Sequence, residues 1–462
     1  MCKHKAEGAI EGPCEIGIEV VKTSPIGAFI KKGKSKARVI HDLSYPKNES
    51  INDGIDKDNS SVMYSSVLDA VALCKLYAKP YMAKYDLQDA YLSCPVREED
   101  RKFLGFLWEN NGKNEIMRFS SLPFGLRSSA KKFSEIAHGL MYICQKRGAE
   151  KSSLYYLDDA ITISGTEESC RKSIETMCET AKLCGFKVNE QKTIGPDRII
   201  EYLGIEINSV TKQLRITEKR MAEIREELQG WSQRKTCTKR DIQSIVGKLQ
   251  FCAKVVVHGN KFIRRLISLS KKGKHQSAKV RINKEARKDL AWWEKCLGCH
   301  NGVGWFDKHF DWQKAVLVYT DASDVAIAAV TGIKWTLLTF EGEYCWVSKK
   351  SIGWRELLAV VLALSTFGPI LKNRHVIMHI DNAGIQQALD KGHTNNEDIM
   401  PLIRVVYFYA GIYNITYKSL HISTTLNGAA DALSRLKFDE FFANYPASEP
   451  VKTKPVNFLT DF

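Results

Sequence analysis

Three aspartates at the ends of apolar runs are the first candidates for chemistry in this chain. Asp158 and Asp159 stand between the apolar runs of "SLYYLDDAITIS", and Asp86 ends the strand-like run of "YMAKYDLQDAY". A tight hairpin normally carries glycine because its backbone needs positive φ angles, but this one has none. Like charges at strand ends repel unless a cation lies between them, and Mg²⁺ prefers carboxylate oxygens. The sequence therefore predicts a two-metal phosphoryl-transfer site, provided that the fold brings the two strands together.

A second acidic set lies towards the carboxyl end of the chain. Asp321 ends the apolar run "AVLVYTD", Glu356 opens "WRELLAVVLAL", Asp381 ends "HVIMHID" and Asp431 lies in "NGAADALSR". An unpaired charge beside apolar sequence is costly. Four carboxylates on four predicted elements therefore indicate a second site for divalent cations.

The elements that must position these residues fall into three blocks. Residues 1–208 mix β-like runs such as "RVIHDL" and "EYLGIEI" with helical runs, which is an α+β pattern. A helical block follows, with Thr217 and Thr238 as helix N-caps. Residues 314–436 return to α/β, with "KAVLVYTDAS", "KWTLLTF", "EYCWVS" and "HVIMHIDNA" as strands and "WRELLAVVLALSTF" as a helix. Prolines near the end of the chain indicate an extended tail.

Positive charge is concentrated in one segment. The formal net charge of the 462-residue chain is +15, and residues 209–300 alone contain 23 lysines and arginines against 8 aspartates and glutamates. Such a basic stripe is typical of binding to a phosphate backbone. A solvated helical face would look similar, but at this density we favour nucleic acid.

Composition and targeting signals argue against several other classes. No secretory signal opens the sequence, and its longest uncharged run, Leu357–Leu371, is too short for a bilayer span and contains Pro369. The thirteen scattered cysteines suit a reducing compartment. We therefore expect an intracellular protein, cytoplasmic or nuclear, without a membrane partner. The run "CLGCH" at 296–300 matches a haem-attachment spacing but stands alone, and we expect no metal site there.

The first acidic set lies among motifs that resemble those of reverse transcriptases. "YLDD" resembles the Tyr-x-Asp-Asp motif, "YDLQDAY" the first metal-binding motif and "SLPFGLRSSAKKF" the Leu-Pro-x-Gly motif. "GFKVNEQKT" resembles the lysine-bearing motif, "EYLGIEI" the primer-gripping hairpin, and "SPIGAFIKKGKSKARVIHDLSYPKNESIND" the fingers. These six stretches follow the family order over residues 24–208.

The resemblance implies a role for each matched position. Asp86, Asp158 and Asp159 would hold two Mg²⁺ or Mn²⁺ ions with the help of the Leu87 carbonyl, and Lys192 would act as a general acid near the leaving pyrophosphate. A nucleotide-binding role is implied for Lys32, Arg38, Tyr91, Leu122, Pro123, Phe124 and Gly125. A primer-gripping role is implied for Tyr202, Leu203 and Gly204.

Some of these positions also have simpler interpretations. At Tyr91 the family uses an aromatic ring to exclude a ribose 2′-OH, but a core aromatic would give the same residue. Arg38, whose guanidinium suits phosphate oxygens, could instead be a surface strand residue, and Lys192 a solvated lysine.

The second acidic set resembles that of ribonuclease H in its order Asp, Glu, Asp, Asp on β, α, β and α elements. His421 stands ten residues before Asp431, as in retroviral-type members, where such a histidine helps product release or water handling. The four acids would likewise hold two metal ions. One departure is that Ala326 and Ala328 stand where relatives often have glycines.

Together these features predict an α+β right-hand polymerase followed by an α/β ribonuclease H-like domain. The expected division is 1–208 for fingers and palm, 209–310 for a basic helical thumb and connection, 311–437 for the ribonuclease H-like domain, and 438–462 for an extended tail. The resemblance implies an RNA-directed DNA polymerase that also cleaves RNA in RNA–DNA hybrids. Its partners would be an RNA template, a DNA primer, the hybrid and deoxynucleoside triphosphates.

The class of genetic element and the survival of activity are separate questions. "RVIHDLSYP" and "NGAADALSR" look most like DIRS-type retrotransposons, with gypsy-like LTR elements as the alternative. A decayed or captured copy that only binds nucleic acid is a second functional hypothesis, although all seven acids are present.

Overall fold

The computed structural model describes most of the chain and divides it into two units. The first comprises Met1–Leu203 and Ile207–Thr211, and the second comprises Gly204–Glu206 and Lys212–Phe462. The described residues are 2–30, 37–110, 112–300, 302–306 and 312–453. The boundary between the units falls close to the expected end of the palm, while the finer fourfold division stays a prediction.

The first unit contains five helices and most of the twelve strands that precede the unit boundary in the described chain. Its helices are α1 Cys2–Ala6, α2 Val67–Cys74, α3 Glu98–Arg101, α4 Ser129–Lys146 and α5 Glu167–Leu183. The strands are β1 Ile10–Glu11, β2 Ile26–Ile30, β3 Ala37–His41, β4 Tyr81–Gln88, β5 Gly105–Asn110, β6 Lys113–Phe119, β7 Ser153–Tyr156, β8 Asp159–Ser164, β9 Lys187–Val188, β10 Ile194–Asp197, β11 Ile199–Tyr202 and β12 Ile205–Asn208.

The central sheet of the first unit has the strand order β10-β4-β8-β7, and β9 also pairs with β4. Successive side chains of a strand point to opposite faces. Tyr85 and Leu87 of β4 are buried in a core with Phe133 of α4 and Met177 of α5. Asp86 therefore projects from the face of the sheet opposite these two helices.

Two further sheets are formed entirely by described residues of the first unit. One has the order β1-β6-β5 and the other is the antiparallel pair of β2 and β3. The core beside them contains Ile10, Leu43, Phe106 and Phe119, which are all buried. This core supports the end of β3, from which the chain continues towards Asn52.

The second unit begins with helices and ends with a large sheet. Its helices are α6 Glu218–Ser232, α7 Lys239–Cys252, α8 Arg264–Ser270, α9 Lys284–Cys299, α10 Ile352–Leu371, α11 Ala383–Lys391, α12 Ile399–Ile412, α13 Gly428–Ser434 and α14 Phe438–Asn444. Its strands are β13 Gln213–Ile216, β14 Thr236–Thr238, β15 Lys279–Arg281, β16 Val303–Trp305, β17 Val316–Ala322, β18 Ala326–Thr331, β19 Lys334–Thr339, β20 His375–Ile380, β21 Thr416–His421 and β22 Glu449–Pro450.

The large sheet has six strands in the order β21-β20-β17-β18-β19-β22. Strands β17, β18 and β19 are antiparallel neighbours, whereas β20 runs parallel to β17 and β21 parallel to β20. Helix α10 packs on this sheet, and by length and composition alone it could cross a membrane. Within its most apolar stretch, 89% of the residues are buried, so the apolar sequence is explained by packing inside the fold.

The local structure agrees with some of the sequence predictions and differs from others. Thr238 caps α7 through a reciprocal capping box with Asp241, as expected, whereas the side chain of Thr217 makes no capping bond. The run "EYCWVS" is wrong as a strand because Gly342–Lys349 forms a 3-10 helix. In "CLGCH", the Cys296 side chain is buried, and His300 is buried and accepts a hydrogen bond from the backbone N–H of Gly302.

The expected extended tail is wrong for its first residues. Phe438–Asn444 is a helix, and Glu449–Pro450 pairs in parallel with β19. Phe441 is buried against Trp335 and the α13 residues of the same core. Aromatic residues at helical spacing from 438 to 445 give this segment a face to bury, and they outweigh the nearby prolines.

Candidate active sites

The first acidic set meets at one end of the central sheet of the first unit. Strands β4 and β8 are antiparallel, with Asp86 directly opposite Asp159. The backbone N–H of Leu87 donates to the carbonyl oxygen of Asp158 at 2.9 Å. Because residues opposite each other in an antiparallel pair share a face, Asp86 and Asp159 lie on the same side of the sheet. The condition that the two strands meet is fulfilled.

The turn between β7 and β8 differs from the expected one. Tyr156 pairs with Asp159, so the two loop residues are Leu157 and Asp158, and Asp159 is the first residue of β8. Leu157 has a φ of 53°, in the left-handed region that costs a non-glycine residue about 1–2 kcal/mol. Its side chain packs against the unit's core. A partly buried leucine therefore takes the left-handed backbone position that glycine takes in ordinary hairpins.

The electrostatics of this cluster favour a cation. Burial, followed by the neighbouring charges of Asp158 and Asp86, raises the pKa of Asp159 to about 6. Lys192 donates from Nζ to Asp86 Oδ2 at 2.8 Å. The resemblance implies a position near the pyrophosphate for Lys192, and in the structure its ammonium contacts the carboxylate of Asp86, an expected metal ligand. The backbone N–H of Asn189 anchors the same segment to the carbonyl of Asp86 at 2.8 Å.

The residues expected beside the nucleotide are held by a tight backbone contact. Gly125 has a φ of 114°, and a Cβ on it would lie 1.9 Å from the carbonyl oxygen of His41. The ring of Phe124 lies 5.1 Å from that of Tyr91, centroid to centroid. Tyr91 also contacts Phe133 of the core, so it satisfies the core interpretation while standing beside the expected nucleotide motif.

Asn52 is a functional candidate that the sequence did not identify. Its amide nitrogen donates to the carbonyl of Gly125 at 2.8 Å, and its amide oxygen accepts from the backbone N–H of Arg127 at 2.8 Å. Asn52 is buried in the 3-10 helix Ile51–Gly54, which Ser50 and Asp53 cap. The capping pattern is visible in the sequence, but these two partners, Gly125 and Arg127, lie more than 70 residues from Asn52.

The other expected nucleotide and primer residues have mixed outcomes. Lys32 lies outside the described residues. Arg38 lies in β3 opposite Phe29, but its side chain is outside the described part. Leu203 and Gly204 follow β11 with positive φ angles of 49° and 79°. Their neighbour Tyr202 is buried, and burial followed by the charge of Asp159 raises its hydroxyl pKa. The nucleotide-binding and primer-grip roles stay predictions.

The second acidic set converges in the second unit. Asp321 of β17, Glu356 of α10 and Asp381 just after β20 each offer a carboxylate oxygen, and these oxygens all lie within 4.8 Å of one another. Strands β17 and β20 are parallel neighbours, so their carboxyl ends meet at one edge of the sheet. Glu356 reaches this edge from the helix packed across it.

Burial leaves these carboxylates without a full set of partners. Glu356 Oε1 accepts from the backbone N–H of Ala322 at 3.2 Å, while its buried Oε2 has no hydrogen-bond partner among the described residues. Burial, then Asp381 and Asp431, raise the pKa of Asp321 to about 7, although the Ser434 hydroxyl donor lowers it. Burial and both neighbouring aspartates raise the pKa of Glu356 to about 9. An orphaned oxygen within a repelling cluster fits a bound divalent cation.

Asp431 and His421 stand at the edge of this cluster. Asp431 is not among the three converging residues, and its Oδ1 accepts from Arg435 Nε at 2.7 Å. The exposed His421 donates from Nε2 to the carbonyl oxygen of Asp381 at 3.0 Å. Ser434 and Asn427, which both donate to Asp321, were missed by the sequence interpretation because nothing in their local pattern reveals such distant partners.

The alanines that replace the expected glycines fit their positions. Ala326 and Ala328 lie in β18 and are both fully buried, and Ala328 pairs with Asp321. A methyl group is therefore accommodated beside the acidic cluster.

Comparison with protein families matches both halves of the chain. Residues 30–207 match reverse transcriptase (RNA-dependent DNA polymerase), and residues 311–404 match the RNase H-like domain found in reverse transcriptase. The central sheet of the first unit and the six-stranded sheet of the second unit agree with these matches. The expected fold class is therefore confirmed: an α+β polymerase domain followed by an RNase H-like domain.

The curated relatives are polyproteins. The chain is 21% identical to the transposon Tf2-3 polyprotein of Schizosaccharomyces pombe over 66% of this chain and 20% of that protein. It is 22% identical to the Gag-Pol polyprotein of avian reticuloendotheliosis virus over 41% of this chain and 16% of that protein. The chain thus spans about a fifth or less of these relatives' length. The expected DIRS-type assignment finds no support among them.

Similar solved structures include a foamy viral protease-reverse transcriptase in complex with an RNA/DNA hybrid. It is 17% identical, with a TM-score of 0.47, and the match covers 89% of this chain and 51% of that chain. The same viral protein in complex with dsDNA gives a TM-score of 0.46 at 17% identity, covering 90% of this chain and 80% of that one.

Proposed function

We propose that this chain is an RNA-directed DNA polymerase with ribonuclease H activity from a retroelement polyprotein. The proposal starts from the order of its domains, a reverse transcriptase domain followed by an RNase H-like domain. The observation that carries the proposal is the register of β4 and β8, which sets Asp86 opposite Asp159 with Asp158 beside them. The substrates would be an RNA template, a DNA primer and deoxynucleoside triphosphates, and then the RNA–DNA hybrid.

In the polymerase site the chain's own residues position the reactants. Asp86, Asp158, Asp159 and the carbonyl of Leu87 would hold two Mg²⁺ or Mn²⁺ ions, which when bound stabilise the attacking and leaving oxygens of an in-line displacement. Tyr91 and Phe124 supply an aromatic wall for the sugar and base. Lys192 lies next to Asp86 and would act as the general acid for the leaving pyrophosphate.

In the second site the converging carboxylates would direct water at the RNA strand. Asp321, Glu356 and Asp381, with Asp431 at the edge, would hold two further Mg²⁺ or Mn²⁺ ions. Ser434 and Asn427 orient the Asp321 carboxylate by donating to it. His421, exposed beside Asp381, would help to release the product.

The polymerase proposal is tested by primer extension. Purified protein with Mg²⁺ should extend an oligo(dT) primer on poly(rA), and Asp158→Asn should abolish extension because it removes a ligand charge. Asp197→Asn is the matched control, since Asp197 is an exposed residue of the neighbouring strand β10. Equal extension by the Asp158 variant would contradict the site assignment.

The nuclease proposal is tested on a labelled RNA–DNA hybrid. Asp381→Asn should abolish RNA cleavage while leaving primer extension intact, and Asp158→Asn should do the reverse, so each variant controls for the folding of the other. Cleavage that survives Asp381→Asn would count against the cluster as the catalytic site. Wild-type protein that binds hybrid without either reaction would support the decayed, binding-only copy.

We also propose an intracellular location and a transposon-type or Gag-Pol-type origin. The location is supported by the free thiols of the described cysteines, which suit a reducing compartment such as cytoplasm or nucleus. The origin is supported by the relatives' names, which are transposon and Gag-Pol polyproteins.

A further inference from the structure

The first unit contains a large apolar cavity outside the acidic site. Its volume is about 710 Å³, within the range of about 300–1,000 Å³ that is typical of small-molecule sites. Apolar side chains from several separate segments form its wall: Ile51, Ile55, Pro95, Leu104, Leu122 and Leu126.

The residues that line this cavity are buried at its base and partly exposed to solvent at its mouth. Cys94, Leu104 and Leu122 are at most 7% exposed, whereas Phe103 and Ile136 are each 39% exposed. Buried residues packed from several segments resist collapse. The cavity therefore offers an apolar base that a ligand can reach from solvent.

The charges at the mouth neutralise one another. Arg97 lies 3.5 Å from Asp100, and Lys132 lies 3.0 Å from Glu135, and all four residues line the cavity. A charged ligand would have to compete with these pairs, whereas a neutral one would gain by burying apolar surface. The chemistry of the site therefore selects a neutral, largely apolar molecule.

The cavity wall is continuous with the support of the expected nucleotide motif. Ile51 and Ile55 flank Asn52, which holds the backbone of Gly125 and Arg127 through two hydrogen bonds. Leu122 and Leu126 lie on either side of Gly125 and face the same cavity. A molecule that fills the cavity would therefore contact Ile51, Ile55, Leu122 and Leu126, which are sequence neighbours of the residues joined by these two hydrogen bonds.

We propose that this cavity is a binding site for a neutral, apolar small molecule, and that its occupancy changes the mobility of residues 122–128 through Asn52. The site is separate from the carboxylates and uses none of them. Any effect of this change on DNA synthesis rests on the proposed polymerase function.

The binding step is tested with N-phenyl-1-naphthylamine, a neutral fluorophore whose emission rises in apolar surroundings. Wild-type chain should show saturable binding, and Ile136→Trp should weaken it by at least about tenfold because an indole fills space at the mouth. Ile143→Trp is the matched control: it lies on the same helix with 43% exposure and outside the cavity wall, and it should leave binding unchanged.

The coupling step is tested by hydrogen exchange with the same probe. Saturating probe should slow amide exchange in a peptide covering residues 122–128 by at least about threefold in wild type and in Ile143→Trp, but not in Ile136→Trp. Equal binding by both variants would overturn the site, and binding without a change in exchange would overturn the coupling. Neither measurement needs nucleotide incorporation, so an inactive polymerase would leave both results interpretable.

Discussion

At the scale of single residues, Glu356 shows most clearly how the fold prepares a site at a cost to stability. Its side chain is 2% exposed, one of its oxygens is unpartnered among the described residues, and two aspartates converge on it. Its pKa is raised from 4.5 to about 9, so the folded chain holds a proton that the unfolded chain releases at lower pH. The stability that this proton provides is complete below about pH 4.5 and is lost as the pH rises towards 9.

Glu356→Gln should therefore stabilise the metal-free chain at alkaline pH. Glutamine keeps the shape without ionising, so we expect a gain of at least about 1 kcal/mol near pH 8, or roughly 3 °C in Tm, and little change near pH 4. Thermal unfolding in EDTA at both pH values measures this. A variant less stable than wild type at pH 8 would show that the cluster holds no repelling charge.

Gly125 provides a second prediction at this scale. Gly125→Ala should destabilise the chain by at least about 3 kcal/mol, because its Cβ would strike the His41 carbonyl and its positive φ disfavours a side chain. Gly139→Ala is the control: it lies in α4 with open space around it, where alanine should gain about 0.5–1 kcal/mol. Urea unfolding compares the two. Equal effects would contradict the close backbone contact.

The catalytic candidates could be found from sequence because their chemistry is local. Asp86 and Asp158 each follow an apolar run, Asp159 precedes one, and their motifs stand in the order of the family they resemble. Asn52 and Ser434 could not be found in this way. Ser434 reaches Asp321 across 113 residues of chain, and only the assembled fold creates that contact.

At the scale of elements, periodicity predicted the strands and helices that carry the acids, but it did not resolve segments where two tendencies compete. The tail after Lys437 has both prolines and an aromatic stripe, and packing of Phe441 decides in favour of α14. Similarly, "EYCWVS" has strand-forming residues but lies in a 3-10 helix. Tertiary contacts override local preference in both segments.

A buried ionic network joins three helices of the second unit. Asp289 of α9 is fully buried and accepts from Arg404 of α12 and Arg265 of α8, at 3.2 and 3.0 Å. Arg404 is itself fully buried and also reaches Glu285. Removal of Asp289 would leave two guanidinium groups short of their partner.

Asp289→Ala should accordingly cost about 3–5 kcal/mol, because breaking one side of a buried ion pair leaves an uncompensated charge. Arg287→Ala, at an exposed position of the same helix, should change stability by less than about 0.5 kcal/mol. Denaturant unfolding of the two variants, monitored through the tryptophans of α9, measures the difference. Similar stabilities would show that the network contributes little.

At the scale of the whole molecule, charge is the property that organises substrate binding in our proposal. Residues 209–300 contain helices α6 to α9 and the short strands β13 to β15, and the net charge of this segment equals that of the entire chain. Sequence alone sufficed for this feature because charge needs no fold to be counted. The arrangement of the two units is a different kind of property, which no local pattern encodes.

Affinity for an RNA–DNA hybrid should fall steeply with salt. If the basic segment neutralises several phosphates, the slope of log affinity against log salt concentration should be about −3 or steeper. Replacing lysines 271, 272 and 274 together with glutamine should make that slope shallower by about 2–3. Fluorescence anisotropy with a labelled hybrid measures both slopes. A flat response in wild type would contradict a phosphate-binding role for this segment.

The pairing of β4 with β8 also restricts how the chain can vary in length. An extra residue within either strand would move each following side chain of that strand to the opposite face. Tyr85 or Ala160 would then leave the core, and Asp86 and Asp159 would no longer lie opposite each other. Misalignment of the acids and loss of the core would therefore occur together. We expect single-residue insertions to prevent folding when they fall in these strands and to be tolerated in the exposed loops. Any chain that folds would therefore also have its acids correctly aligned.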